Sequence, residues 1–352
     1  MSSVRFIFGN NEDQIGYAPT SIANKDLKWE TTAQFDAGLD VGFLEDRINV
    51  VFDYYRKHTT DLLASSPVPW STGYRTITKN IGEISNNGVE FSISADAIKT
   101  RDFKWNVSGN ISHNENKVLK LDKGSDVIGG SVLFSSTNIA REGFPLGAFY
   151  GYLEDGLDIQ GFIRYKDVNE DGIINSSDRV VLGSPYPDFT YGLSSDLSWR
   201  NFSLNVLFEG SYGNELLWET AGTHLNSFQK GTNQFTDIIG NYWTKENPDQ
   251  NAKYPKISKD SNFNASDRFI KDASYFRLKN LTLTYYFSWL GGAQVYVSGT
   301  NLFTVTKYPG LDPDVNTRGS DSTNISSRLM MGIDASAYPI ARTFSIGLKL
   351  KI

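Results

Sequence analysis

The feature that most constrains this chain is a period-two alternation sustained over runs of nine or ten residues. Val89, Phe91, Ile93, Ala95 and Ala97 alternate with Glu90, Ser92, Ser94 and Asp96. Beyond a turn at Lys99 to Asp102, Phe103, Trp105, Val107, Gly109 and Ile111 alternate with Lys104, Asn106, Ser108 and Asn110. Phe202, Leu204, Val206, Phe208 and Gly210 repeat the pattern, as do Phe344, Ile346, Leu348, Leu350 and Ile352 at the C-terminus. Such alternation defines strands with one apolar face. Those four faces carry no charged residue in a chain that is 21% charged. Random placement would achieve that roughly one time in a hundred. The opposite faces carry Glu90, Asp96, Lys104, Glu209, Lys349 and Lys351.

Two environments impose such a face: the interior of a soluble sandwich, or hydrocarbon, where a midplane charge costs about 2–4 kcal/mol. Strand length favours the second. Soluble strands cluster near five or six residues, whereas a tilted strand crossing a bilayer needs about 9–11. The spacing of connections agrees. Short turns at Leu44 to Arg47, Lys99 to Asp102, Trp199 to Asn201 and Ser288 to Gly292 alternate with polar stretches near 57–87, 113–147, 211–273 and 306–340. Outer-membrane barrels combine short periplasmic turns with long extracellular loops. Trp105, Trp199 and Trp289 fall near strand ends, where an interfacial girdle or ordinary packing accounts for them.

The expected fold class is therefore all-β: a transmembrane antiparallel β-barrel with long extracellular loops, in contact with outer-membrane lipid. About ten strands are countable, beginning with Trp29 to Phe43 and Ile48 to Lys57. A plugged lumen takes about 22 strands, so residues 1–352 are expected to form the C-terminal portion of a larger barrel. Composition is compatible. The chain has a mean hydropathy of −0.36 and no stretch long enough for a spanning helix, as alternating strands require. Its 22 Phe, 18 Tyr, 7 Trp and 31 Gly suit a pleated sheet. A net charge of −6 argues against a nucleic-acid partner, and the lack of Cys leaves no disulfide, thiolate metal site or Cys nucleophile. No secretory signal opens the chain. The competing reading is a soluble, calcium-stabilised β protein that binds carbohydrate.

One loop carries a metal-like spacing. Asp167, Asn169 and Asp171 fall at positions 1, 3 and 5, Gly172 at 6, Ile173 with its carbonyl at 7, and Asp178 at 12. A hard cation such as Ca²⁺ takes oxygens at those positions of a tightly turned loop, although Asp replaces the usual Glu at 12. A solvated Asn/Asp/Gly turn is the alternative. Strand parity puts this loop outside the cell. Catalysis finds no support: His58, His113 and His224 are scattered, and carboxylate neighbours such as Glu154 and Asp155 are expected to be solvated. In the longest loop, near 211–273, the stretch Asn214 to Ile239 is expected to include a short helix around Leu216 to Trp218. Trp218, Phe228, Phe235 and Trp243 there are expected to pack within the loop, with stacking on sugar rings as the alternative.

Several segments resemble the SusC/RagA-type TonB-dependent transporters of Bacteroidota. They are Asn24 to Glu30, Asn87 to Glu90, Tyr165 to Gly172 with Asp178 and Arg179, Asp272 to Asn280 leading into Leu281 to Tyr285, Asn301 to Phe303 with Tyr308 to Pro313, and Tyr338, Pro339 and Arg342 before the last strand. The resemblance implies a plugged 22-stranded barrel in the outer membrane that imports oligosaccharides or peptides. It also implies a SusD-like surface lipoprotein as partner and energy from the TonB complex. The plug, the TonB box and the first half of the barrel are absent from these residues. The segment between Gly151 and Tyr165 is short for the family, and Ile352 stands where an aromatic residue is usual. The chain is thus expected to be a piece that does not transport alone.

Overall fold

The computed structural model describes residues 2–8, 12–18, 21–74, 76–121, 126–129, 131–132, 135–222, 233–258, 263–290, 292–317 and 329–350. Nine strands form an antiparallel meander: β1 (Thr31–Phe43), β2 (Ile48–Pro67), β3 (Thr76–Lys99), β4 (Phe103–Leu121), β5 (Phe189–Trp199), β6 (Phe202–Tyr212), β7 (Tyr275–Phe287), β8 (Ala293–Thr306) and β9 (Thr343–Lys349). Each strand pairs with its sequence neighbours, and the short strand Ser21–Ile22 adds in parallel to the start of β3. The sheet is open, with β1 and β9 at its two edges.

The register shows why the alternation is there. One row crosses all nine strands from Phe43 through Ile48, Ala95, Val107, Ser195, Val206, Leu281 and Gly299 to Phe344. The adjacent row on the other face runs Gly42, Asn49, Ser94, Ser108, Ser194, Leu207, Asn280, Thr300 and Thr343. The first row has a single polar side chain, and the Ser195 hydroxyl accepts from the Trp105 indole N–H at 2.9 Å. The second row has a single aliphatic side chain larger than Gly. Two neighbouring rows of opposite character mean a sheet with a dry side and a wet side.

Among the described residues no second sheet covers the dry side. Leu39, Leu193, Val297 and Ile346 on it are 61%, 43%, 51% and 78% exposed. A soluble sandwich would bury these positions. Aromatic residues rim the dry face at two levels. Near the short turns, Trp199, Phe202, Tyr285, Phe287 and Trp289 touch in sequence. At the other end, Phe189 stacks on Tyr212 with centroids 5.0 Å apart, and Phe208 on Phe276 at 5.0 Å. From Phe189 to Trp199 is about 34 Å along the strand. At a tilt near 40° that becomes about 26 Å, matching the apolar band of about 25 Å between the aromatic girdles of outer-membrane barrels.

Three expectations change at the element level. The stretch 57–87 is not a loop: β2 and β3 are 20 and 24 residues long and pair as a hairpin. Similarly, β4 runs on to Leu121. Beyond the bilayer both faces of a strand meet water, so nothing enforces alternation there. Near the turn into β4 a bulge between Asp96 and Ile98 takes Ala97 out of register, and Ile98 pairs with Trp105 in its place. Finally, Leu216 to Trp218 belong to a strand, Glu215–Trp218, followed by a single helical turn at Glu219–Ala221.

The hydrophobic core lies at the end of the sheet away from the short turns, where three long connections meet. Phe149 comes from the β4–β5 loop, Leu217 and Phe269 from the β6–β7 loop, and Met330 and Ile333 from the β8–β9 loop, all in one buried cluster. Glu215–Trp218 is the centre of a three-stranded sheet between Ile270–Asp272 and Ile333–Asp334. Arg268 clasps Glu154 through two nitrogens, with the closest contact at 2.6 Å. The loops thus form one packed cap, not three independent excursions.

Candidate functional site

The wet face of the meander is the first part of the site. Its side chains hydrogen-bond across strands: Asn106 donates to Asp96 at 3.1 Å, Ser108 meets Ser194 at 2.7 Å, and Ser112 meets Thr190 at 2.8 Å. Tyr55 donates to Asn114 at 3.0 Å. A polar wall of this kind lines an aqueous or plugged lumen.

Where that wall reaches the cap, Arg277 of β7 is fully buried. Its Nη2 is 2.7 Å from Asp312 Oδ1, and its Nε donates to the Thr304 hydroxyl at 2.9 Å. Its Nη1 lies 3.8 Å from Glu209 Oε1 and 3.7 Å from Asp314 Oδ2. Lys279 closes the group at 2.9 Å from Glu209. A buried guanidinium requires carboxylate partners, and these come from β6 and the β8–β9 loop. Sequence reasoning had both ends of this contact, Asp272 to Asn280 and Tyr308 to Pro313, as separate segments. Only the fold joins residues 35 positions apart.

The loop 167–178 is tightly organised. Gly172 N donates to Asp167 Oδ2 at 2.7 Å, Asp171 N to Asn169 Oδ1 at 3.1 Å, and Ile173 N to Asp171 Oδ1 at 2.8 Å. Asp178 is buried and accepts from Val168 N at 2.9 Å and Asn175 N at 2.8 Å. These backbone donors, that of Asn175 first, hold its carboxyl below the usual carboxylate range. Glu170 and Gly172 adopt φ of 59° and 80°, as the sharp turn demands. The five residues Asp167, Asn169, Asp171, Ile173 and Asp178 therefore share one turn. The side-chain oxygens of Asp167, Asn169, Asp171 and Asp178 are engaged by the loop's own backbone, the Ile173 carbonyl accepts from the Asn175 side chain at 3.0 Å, and among the described residues no three His, Asp or Glu side chains converge as a metal cage.

A cavity of about 540 Å³ opens between the β6–β7 and β8–β9 loops. Trp218 and Phe235 line it, stacked with centroids 5.7 Å apart and planes 15° from parallel. Lys253, Arg268, Lys271 and Lys307 line it as well, with Asp237. Of the other aromatics singled out in this loop, Trp243 is buried in a separate cluster with Leu157, Ile163 and Tyr165. Phe228 and His224 lie outside the described residues. His58 pairs with Glu83 at 3.2 Å, and His113 reaches the Asp188 carbonyl. They do not approach one another to form a catalytic set, and Asp155 pairs with Arg164 at 2.8 Å.

Comparison with known proteins gives a consistent picture. The family described as TonB dependent receptor-like, beta-barrel matches residues 4–302. TonB-dependent receptor P3 of Formosa agariphila is 37% identical over 99% of this chain and 37% of that protein. TonB-dependent receptor SusC of Bacteroides thetaiotaomicron is 34% identical over 93% of this chain and 32% of that protein. Among solved structures, the RagAB peptide transporter superposes with a TM-score of 0.78 at 26% identity, covering 99% of this chain and 38% of that one. The chain thus spans about a third of the length of the relatives it matches.

Proposed function

The chain belongs to the TonB dependent receptor-like β-barrel family of the outer membrane, and on that premise we propose that it serves TonB-dependent import of a nutrient oligosaccharide or peptide. A SusD-like surface lipoprotein is the proposed partner. The observation that carries this reading is the pair of neighbouring rows, one uncharged and uncovered, the other polar and cross-linked, running through all nine strands. That pairing makes a wall between lipid and a lumen. The receptors named above are transporters and receptors, not enzymes, and nothing in the site calls for catalysis.

An open wall closes only by pairing its edges. We place the nine strands as one part of a larger barrel, with β1 and β9 each meeting a further strand, and transport as a property of the whole protein. Cells expressing the complete protein should lose uptake of its nutrient when the proton-motive force is collapsed. Cross-linking in intact membranes should recover the lipoprotein. Uptake that survives collapse of the force would contradict the energy coupling, and recovery of no lipoprotein would contradict the partnership.

The 167–178 loop enters the same proposal as a structural Ca²⁺ site, supported by donor type and spacing. The ion would have to draw Asp167, Asp171 and Asp178 away from some of their backbone donors. Calorimetry on the intact protein should show Ca²⁺ binding that Asp171→Ala weakens. Absence of any Ca²⁺ heat would reject the site.

A further inference from the structure

The dry face has a place where a charge turns outward. On β2 the outward positions run Ile48, Val50, Phe52 and Tyr54, and the next is Arg56. No register shift separates these residues, so the Arg56 side chain leaves the same side of the sheet as Phe52. The outward positions of β1, β5, β6, β8 and β9 carry no charge along their whole length. Arg56 is eight residues up β2 from Ile48 at the short turn, about 27 Å along the strand. At a tilt near 40° that is about 21 Å of height, which leaves it about 4 Å inside the outer edge of an apolar band of about 25 Å.

Nothing on the face answers this cation. Its outward neighbours are Phe35 on β1, Asn87 on β3, Tyr54 below and His58 above, and Arg56 itself is exposed. Of the outward carboxylates above it, Glu83 is shared by His58 at 3.2 Å and Lys120 at 3.7 Å. Glu115 stands two strands away across Asn87, about 10 Å off. A guanidinium at this depth extends along its stem to the head groups, which begin where the hydrocarbon ends. Beside it, Asn87 Oδ1 has no hydrogen-bond partner, so that amide is not committed to the sheet. We propose that Arg56 seats the phosphate of an anionic outer-leaflet lipid, with the Asn87 amide N–H as a second donor.

A lipid suits the position better than a protein. Arg56 lies on a strand paired on both sides, so a further barrel strand, which adds at an edge, does not cover it. Its surroundings continue the lipid-facing surface through Phe35 and Tyr54, 62% and 37% exposed. The planar fork of Arg matches the oxygens of a phosphate bidentately.

The test is native mass spectrometry on the complete protein, stripped of lipid in detergent. The probes are lipid A, phosphatidylglycerol, phosphatidylcholine and inorganic phosphate. At least one anionic lipid should bind more tightly than phosphatidylcholine, and Arg56→Gln should weaken its first equivalent about tenfold. Arg56→Lys should retain part of that affinity. Arg101→Gln, which removes a cation at the opposite rim, should leave the first equivalent unchanged. Heat-modifiable migration identifies the variants that fold. The proposal is overturned if neither anionic lipid binds more tightly than phosphatidylcholine, if folded Arg56→Gln binds them unchanged, or if Arg101→Gln weakens them as much. Inorganic phosphate that displaces the lipid as readily as a second anionic lipid does would assign a free-anion site and overturn it too. The site rests on the lipid-facing reading of the wall, and the two fail apart. Unchanged binding by folded Arg56→Gln removes the site and leaves the wall, whereas a protein that takes up no lipid of any class removes the wall itself.

Discussion

Single residues in this wall are constrained by what faces them one strand away. A Cβ added to Gly88 would fall inside the ring of its cross-strand partner Tyr55, and Gly347 stands in the same relation to Tyr296. The tyrosine covers the backbone that glycine leaves bare, a recognised means of fixing register. Gly88→Ala should therefore cost about 1–3 kcal/mol by overpacking, read as a lower midpoint of heat-modifiable migration. Arg277 is a sharper case. Arg277→Met leaves Asp312 buried without its partner, and loss of one member of a buried pair costs about 3–5 kcal/mol. Lys279→Met removes a partner from the half-exposed Glu209 and should cost no more than about 1 kcal/mol. Similar losses from both would refute the distinction between them. Asp178 gives a pH prediction. Its folded pKa is depressed, so its contribution to the 167–178 loop is complete above the unfolded value of about 3.9 and disappears as pH falls through the folded value. Proteolytic nicking of that loop should stay constant from neutral pH down to about pH 4 and increase below it, with Asp178→Asn removing the dependence.

At the scale of the element, the transmembrane strands were readable because hydrocarbon acts on every second residue. The uncharged faces of Val89 to Ala95, Phe103 to Ile111, Phe202 to Gly210 and Phe344 to Leu348 all lie on one side of the sheet. Where that selection stops, legibility stops too. Residues 57–67 and 76–87 are strand in the structure but read as loop, because water on both faces lets Thr, Asn, Lys and Ser fall in any order. The bulge that replaces Ala97 with Ile98 is invisible to a counting rule, since both residues are apolar. Leu216 to Trp218 read as helix because their core partners, Ile270 and Ile333, are more than 50 residues away in sequence. The candidate site divides in the same way. The turn at 167–178 is local and was legible, whereas the Arg277 cluster and the Lys271–Lys307 cavity are assembled from distant loops. Face identity gives the element-scale prediction. Ile93→Lys should cost about 2–4 kcal/mol and impair membrane assembly, while Ser94→Lys, one residue on and facing the lumen, should assemble normally. Equal tolerance of both would mean that the two faces meet the same medium.

For the molecule as a whole, the membrane-spanning wall and the packed core are separated in space. The sheet carries almost no buried core of its own; the buried clusters lie in the cap, where the three loops interlock. Lipid is required to complete the sheet in the way that a second sheet completes a sandwich. The 352 residues contain no Cys, so a cysteine introduced on one of these strands is the only one within them. The most direct measurement is therefore a label scan along β5, from Phe189 to Trp199, in the complete protein reconstituted into liposomes, comparing collisions with oxygen and with a water-soluble nickel reagent. Labels at Leu193, Ser195 and Leu197 should favour oxygen, and those at Ser194, Asp196 and Ser198 should favour nickel, alternating residue by residue. If the first set proves shielded from both reagents, as inside a protein core, or open to nickel, the lipid-facing wall does not exist and the transporter assignment goes with it.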